Sequence, residues 1–318
     1  EFLCEADIGR DDGDARGAKV HHRTGYSAPQ PFVDQSPAER GLHTAELLLA
    51  GAEGGSLDLS LLAVVLPASG KSVVPVVLEI GGAGLLEDHW GDDLPLEAYL
   101  YAFDHNGGVG DYLVQSAQLD LSKLRANLAA GGIKLLGELH LSPGNYTLRA
   151  LVRNGRTGKS ALQARPVMVV ASQAATARIV EPLFPQPSGR WLVARTARKE
   201  ETGRAPFDPF RLAASAFVPE IRPVVAAGTQ VQLLVYGAGL GGELTATVRV
   251  VLADGSSVLA PSTQSTTAVA TSAGDLVSVP VRLETTGLLP GEYLLRIEIH
   301  DAAGVGASAP ATRFVVRG

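Results

Sequence analysis

The strongest constraint in this chain is an internal repeat. Residues 141–170 read LSPGNYTLRALVRNGRTGKSALQARPVMVV, and residues 288–317 read LLPGEYLLRIEIHDAAGVGASAPATRFVVR, at an offset of 147. Pro143-Gly144 matches Pro290-Gly291, Tyr146 matches Tyr293, Leu148 matches Leu295 and Arg149 matches Arg296. Tyr146, Leu148, Ala150 and Val152 alternate with Thr147, Arg149 and Arg153, the two-residue period of a half-buried strand. A weaker echo pairs YLYAFDHNGGV (99–109) with VRVVLADGSSV (248–258). One β-module is therefore written twice.

Both copies carry Leu-x-Pro-Gly-x-Tyr-x-Leu, the pattern of a tyrosine corner. A Pro-Gly turn delivers Tyr146 or Tyr293 to the start of a late strand, where the hydroxyl can bond back to the backbone. Two corners at domain spacing predict an all-β fold of two tandem immunoglobulin-like or fibronectin-like sandwiches, preceded by a short N-terminal strand and helix. The boundaries expected are 1–54 for a remnant of an upstream domain plus the helix, and 55–174 for the first sandwich. A proline-rich and charged connector would take 175–211, and the second sandwich 212–318. The length of 318 residues suits two cores better than one.

Within the first 54 residues, GAKVHHRTGYSAP (17–29) reads as a strand and its exit turn. Ser36-Pro37-Ala38-Glu39 is a capping box with Pro at the first helical position. Leu42, Ala45, Leu48 and Leu49 then form one helical stripe that Gly51 stops. A second short helix is expected over Ser122–Gly131. The opening EFLCEADIGRDDGDARG places acids where a leader peptide would be apolar, and reads as the cut start of a fragment.

Composition excludes several classes. Hydrophobic residues make up 46 % and charged residues 19 %, so the chain is globular. No apolar run approaches the roughly 18 residues of a membrane span. Residues 1–172 hold 14 Lys and Arg against 21 Asp and Glu, and residues 173–318 hold 13 against 12. Neither half carries a nucleic-acid footprint. One cysteine, Cys4, allows neither an internal disulfide nor a cysteine metal site.

The motifs that carry chemistry elsewhere lack their context here. VQLLVYGAGLGG (231–242) spells G-x-G-x-x-G, but the β-branched run that follows opens no helix to receive a pyrophosphate. It reads as an inter-strand loop, and GGAGL (81–85) reads as its counterpart in the first module. SGKS (69–72) and GRTGKS (155–160) lack the first glycine of a phosphate loop and read as hairpin turns with the lysine exposed. The seven histidines are scattered, and His21-His22 would point to opposite faces of a strand. No nucleophile and base, and no paired acids, can be assembled, so no enzyme is expected.

Acids do cluster in LLEDHWGDDLPLE. Glu87, Asp88, Asp92 and Asp93, with Asp104 of the D-x-N-x-G turn, are candidate calcium ligands. The competing reading is solvated loop acids, since Asp, Asn and Gly belong in a hairpin turn anyway. Trp90, Trp191, Phe207 and Phe210 could line a carbohydrate platform or pack under loops and at the joint between modules. A surface aromatic strip would favour the sugar reading.

Arg23-Thr24-Gly25-Tyr26-Ser27-Ala28-Pro29 after a basic strand resembles the exit from the von Willebrand factor A-type domain in bacterial VWFA-related proteins. Ala102-Phe103-Asp104, the two corners and FVPEIRPVV (217–225) are similar to the text that follows there. The D-x-S-x-S motif of that domain's metal site is absent, so no metal residue carries over. The resemblance implies the portion downstream of the A domain in a secreted or cell-envelope protein. Its role there would be non-enzymatic: spacing or presenting the adhesive domain and binding an unidentified protein partner. No cofactor, nucleic acid or small-molecule substrate is expected. The alternative is a carbohydrate- or calcium-binding accessory module.

Overall fold

The computed structural model describes residues 32–171, 176–186, 189, 191–195, 208–212 and 215–318. The basic strand and R-x-G-Y-x-A-P run, with Cys4, His21, His22 and Phe207, lie outside the described residues. The first part of the chain runs α1 (Pro37–Ala50), β1 (Gly54–Gly55), β2 (Leu59–Ala63), β3 (Ser72–Gly81), α2 (Gly82–Leu86), β4 (Asp93–Asp104), β5 (Val109–Asp120), α3 (Leu121–Ala130), β6 (Gly132–Leu141), β7 (Gly144–Asn154) and β8 (Ser160–Val169). Short strands follow: β9 (Arg178–Ile179), β10 (Pro185–Gln186), β11 (Leu192–Arg195), β12 (Arg211–Leu212), β13 (Ser215–Ala216) and β14 (Val218–Pro219). The last part runs β15 (Val224–Ala226), β16 (Gln230–Ala238), β17 (Glu243–Val251), β18 (Ser262–Thr267), β19 (Val269–Ala270), β20 (Val277–Glu284), β21 (Gly291–Asp301), β22 (Gly306–Ser308) and β23 (Thr312–Arg317).

The fold is all-β and consists of two sandwiches. In the first, sheet β1-β8-β7-β4-β5 packs on sheet β11-β6-β3-β2. In the second, sheet β15-β23-β21-β17-β18 packs on sheet β19-β20-β16-β9, with β22 beside β21. The repeat is visible in the pairing, since β7 lies between β4 and β8 just as β21 lies between β17 and β23. Alternation does the sorting. Val76, Leu78, Leu100, Leu148, Ala150 and Val152 fill the first core, and Leu233, Val235, Val281, Leu295, Ile297 and Phe314 fill the second.

Turn chemistry closes the hairpins. Asp104 Oδ1 accepts the N–H groups of Asn106 and Gly108, both at 2.8 Å, and Gly107 takes the left-handed φ of 80° that the turn needs. The G-x-G-x-x-G run leads from β16 to β17 with Gly239 and Gly242 left-handed, a strand-to-strand loop. Its supposed counterpart at 81–85 differs. It is the helical turn α2, seated so closely on α3 that a Cβ on Gly82 would come within 1.7 Å of the Leu128 carbonyl oxygen. The glycine is there for close approach between two helices.

Helix α1 begins as its sequence requires. Glu39 N–H donates to Ser36 Oγ, Ser36 N–H donates to Glu39 Oε2 at 2.7 Å, and Gly51 ends the helix at φ 64°. Of the expected apolar stripe only Leu48 is buried. Thr44 and Leu48 are buried, whereas Leu42 is 72 % and Leu49 66 % exposed. The helix touches the outer face of the first sandwich through Leu48 on Leu151 and Leu162, and polar clamps do the rest, so Leu42, Ala45 and Leu49 of the stripe are left facing outward.

The segment read as a connector carries strands that belong to both sandwiches. β9 pairs with β16 in the second, and β11 pairs with β6 in the first.

Candidate functional site

Strand β4 alternates as far as Ala102, and its aromatic face carries Tyr99, Tyr101 and, beyond a bulge between Ala102 and Phe103, the buried Phe103. The register sets Tyr101 opposite Tyr112 and Tyr99 opposite Val114 on β5, so a cross-strand aromatic and aliphatic patch is built by pairing alone. Tyr101 and Tyr112 lie 5.4 Å apart at 14°, and Tyr101 and Phe103 lie 6.0 Å apart at 19°. These rings are too close to lie side by side in one plane, so they stack and turn their faces to one another. The Arg149 guanidinium sits 5.0 Å over Phe103 and continues the stack.

Helix α1 lies beside this patch because two arginines of β7 hold it there. Arg149 Nη1 donates to the carbonyls of Leu48 and Leu49, at 2.7 and 2.8 Å, which satisfies the last turn of the helix. Arg153 Nη2 donates to Thr44 Oγ1 at 2.9 Å and to Glu97 Oε2 at 2.7 Å. The Arg153 guanidinium also stacks 4.7 Å from Phe32, just ahead of the helix. Between α1 and the β4–β5 hairpin lies an apolar cleft of about 330 Å³, lined among others by Ala45, Leu48, Leu49, Tyr101, Phe103 and Val109. Tyr112, 59 % exposed, and Val114 extend it across β5, the outer strand of its sheet.

Chemically, this cleft can hold apolar groups. Tyr99 at its inner end donates to Glu97 Oε2 at 3.3 Å, and burial, reinforced by the Glu97 charge, holds its phenol above the usual tyrosine range.

The five acids singled out from the sequence are not brought together. Glu87 and Asp88 both pair with Lys159, at 2.8 and 2.7 Å, and raise its amine above the usual lysine range. The lysine of GRTGKS is therefore half-covered by its partners rather than exposed. Asp92 gives its carbonyl to Leu121 N–H, and Asp93 lies opposite Asp120 at the start of β4. Asp104 is at the far end of that strand, roughly 36 Å away at about 3.3 Å per residue, with its carboxylate spent on the turn. Among the described residues, no three of His, Cys, Asp and Glu stand close enough to hold a metal ion.

The aromatic candidates also separate. Trp191 covers the buried Lys134 at 4.9 Å, and Phe210 packs edge-on against Phe217 at the joint between sandwiches. Trp90 is exposed beside Arg156. The strip that exists, Tyr101, Phe103 and Tyr112, was not singled out from the sequence. Its signal was present in YLYAF, where both faces of the strand are apolar and the outer one is aromatic. At the corners, the Tyr293 hydroxyl donates to the Leu289 carbonyl at 2.8 Å. The Tyr146 hydroxyl has no such bond among the described residues; its ring lies against Gly110, where a Cβ would come within 2.6 Å of it.

No family profile and no curated protein matches the chain. Among solved structures it is similar to red sea bream transglutaminase at 12 % identity and a TM-score of 0.25, over 90 % of this chain and 34 % of that one. It is also similar to latent dimeric PorU from Porphyromonas gingivalis, at 11 % identity and 0.31, over 85 % of this chain and 21 % of that one. A calcium-binding mutant of Bacteroides uniformis beta-glucuronidase 2 is similar at 11 % identity and 0.24, over 44 % and 18 %. The chain thus spans about a third or less of the length of each, and likenesses this distant say nothing of activity.

Proposed function

We propose that this chain is a non-enzymatic interaction module of a larger VWFA-related protein of the cell envelope or the secreted fraction. The two sandwiches space or present an adhesive domain, and a protein partner seats in the cleft between α1 and the β4–β5 hairpin. The observation that carries the reading is the apolar stripe of α1, of which only Leu48 is buried. Leu49 and Ala45 face the same cleft as Tyr101 and Val109, with the buried Phe103 also in its lining, so two elements leave apolar surface open at one place. Apolar surface gathered in a concavity is worth burying, at about 25 cal/mol per Å². The adjoining edge β5 adds a row of backbone groups that an extended peptide can match. Placement in a VWFA-related envelope protein rests on the resemblance of the sequence.

The carbohydrate reading is kept as the second, because an aromatic strip does reach the surface at Tyr112. Against it, sugars stack on exposed ring faces, and these rings turn their faces to one another.

A phage-displayed library of random twelve-residue peptides, panned on the purified chain, tests the choice. Peptides with apolar residues at alternate positions should be enriched. Their affinity should fall about tenfold or more in Leu49→Glu and Tyr112→Asp, as expected for losing an interface anchor. The control Leu289→Glu, on an exposed turn of the second sandwich, should change nothing. Enriched peptides indifferent to the cleft variants would remove the site. Binding of cellohexaose or xylohexaose that Tyr112→Ala abolishes would replace the protein partner with a sugar.

A further inference from the structure

We infer that the two sandwiches and the segment between them are a single rigid body that unfolds in one step, with no hinge. This goes beyond the proposed function and needs no partner.

The path of the chain is the first reason. After β8 it leaves the first sandwich and pairs with the second, where Ile179 faces Gly237 and Leu183 exchanges both backbone hydrogen bonds with Leu234, at 2.8 and 3.1 Å. Phe184 enters the second core and stacks on Phe314. The chain then returns, and Leu192–Arg195 pairs in parallel with Ile133–Leu136 of β6. It crosses again to pair β15 with β23. A tether between beads crosses once; this chain crosses three times, and the first sandwich's sheet includes a strand that lies beyond the second sandwich's first strand in sequence.

Packing is the second reason. Outward residues of the two four-stranded sheets meet in one cluster. Leu62, Val77 and Leu136 come from the first, and Leu234 and Tyr236 from the second. Val180, Leu183, Phe210 and Phe217 fill the space between them. The Tyr236 hydroxyl donates to the Pro209 carbonyl at 2.7 Å, inside the joint. Alternation supplies both layers at once, since Leu135 faces the first core and Leu136 the joint.

The third reason is a buried ion pair at the same place. Lys134 of β6 has no exposed surface; it pairs with Glu79 of β3 at 2.9 Å and donates to the Pro219 carbonyl at 2.8 Å. Trp191 roofs it. A buried lysine needs every one of these partners, and Pro219 and Trp191 belong to the intervening segment. If the segment moved away, the charge would be left without its cover. On the rim, Arg222 of that segment reaches Asp58 at 3.0 Å, and Arg165 reaches Glu181 at 2.9 Å.

Calorimetry of the intact chain reads this directly. One transition with equal calorimetric and van't Hoff enthalpies is expected, and two resolved transitions in the unaltered chain would overturn the inference. Phe217→Asp, aimed at the joint alone, should split the single peak into two. A peak that stays single and unmoved would also overturn it, because the joint would then not be what couples the sandwiches. Should that variant fail to fold, native-state hydrogen exchange on the unaltered chain decides. Amides of β3 and of β20 should open with the same free energy, and unequal values sink the idea.

Discussion

His89 sits at the end of the first sandwich with both ring nitrogens engaged. The Asn154 amide donates to Nδ1 at 3.1 Å, and Nε2–H donates to the Asp93 carbonyl at 3.1 Å, which assigns the Nε2 tautomer. Asn154 is oriented for this by accepting the N–H groups of Arg156 and Thr157 on its Oδ1. Burial, aided by the charges of Arg156 and Arg125, holds the imidazole below its ordinary value of about 6.5. The unfolded chain therefore takes up the proton first, and stability is lost as pH falls below about 6.5, until the folded-state value is passed. Urea midpoints at pH 7.5 and 5.5 should drop more for the unaltered chain than for His89→Gln; parallel drops would show that this ring is not the cause. Asp93 is only four residues from His89, but Asn154, 65 residues on, could not be read from the sequence as its second partner.

At the scale of elements, α1 divides what is local from what is not. Its start and stop were readable, because capping box and C-terminal glycine act within four residues of backbone. Its orientation was not, because a stripe names apolar residues without naming the surface that receives them. The deciding contacts come from Arg149 and Arg153, which a period-two reading of β7 sends to solvent. Arg149→Met should release the last turn, with hydrogen exchange at residues 44–50 faster by about tenfold or more, since charge-assisted bonds of this kind contribute about 1.5–3 kcal/mol. Exchange in β3 and β6 should stay as it was. Unchanged protection in α1 would mean that Leu48 and the Arg153–Thr44 bond hold the helix without Arg149. Strands β4 and β5 carry the same lesson, since the hairpin was legible from Asp104 to Gly108 while its aromatic outer face acquired meaning only beside α1.

For the molecule as a whole, the acids first suspected of binding calcium provide a simple check. Millimolar calcium followed by EDTA should leave the melting temperature where it was, because Glu87 and Asp88 are engaged by Lys159 and Asp104 by its own turn. A ligand that binds the folded state must raise that temperature by mass action, so a clear rise would make these acids ligands after all.

By itself the sequence determined that the chain is all-β, that one module is written twice, and where most strands turn. Those features rest on alternation, on Pro-Gly and Asp-Gly turns, and on caps, all of which act over a few residues. The tertiary structure alone decided where the open apolar surface lies, how the acids are spent, and that the middle segment is woven through both sandwiches. Most of this depends on which residues meet across long stretches of chain, as Arg222 meets Asp58 across 164 positions. A two-residue strand such as β9 or a lone buried lysine carries no periodicity from which such a meeting could be read.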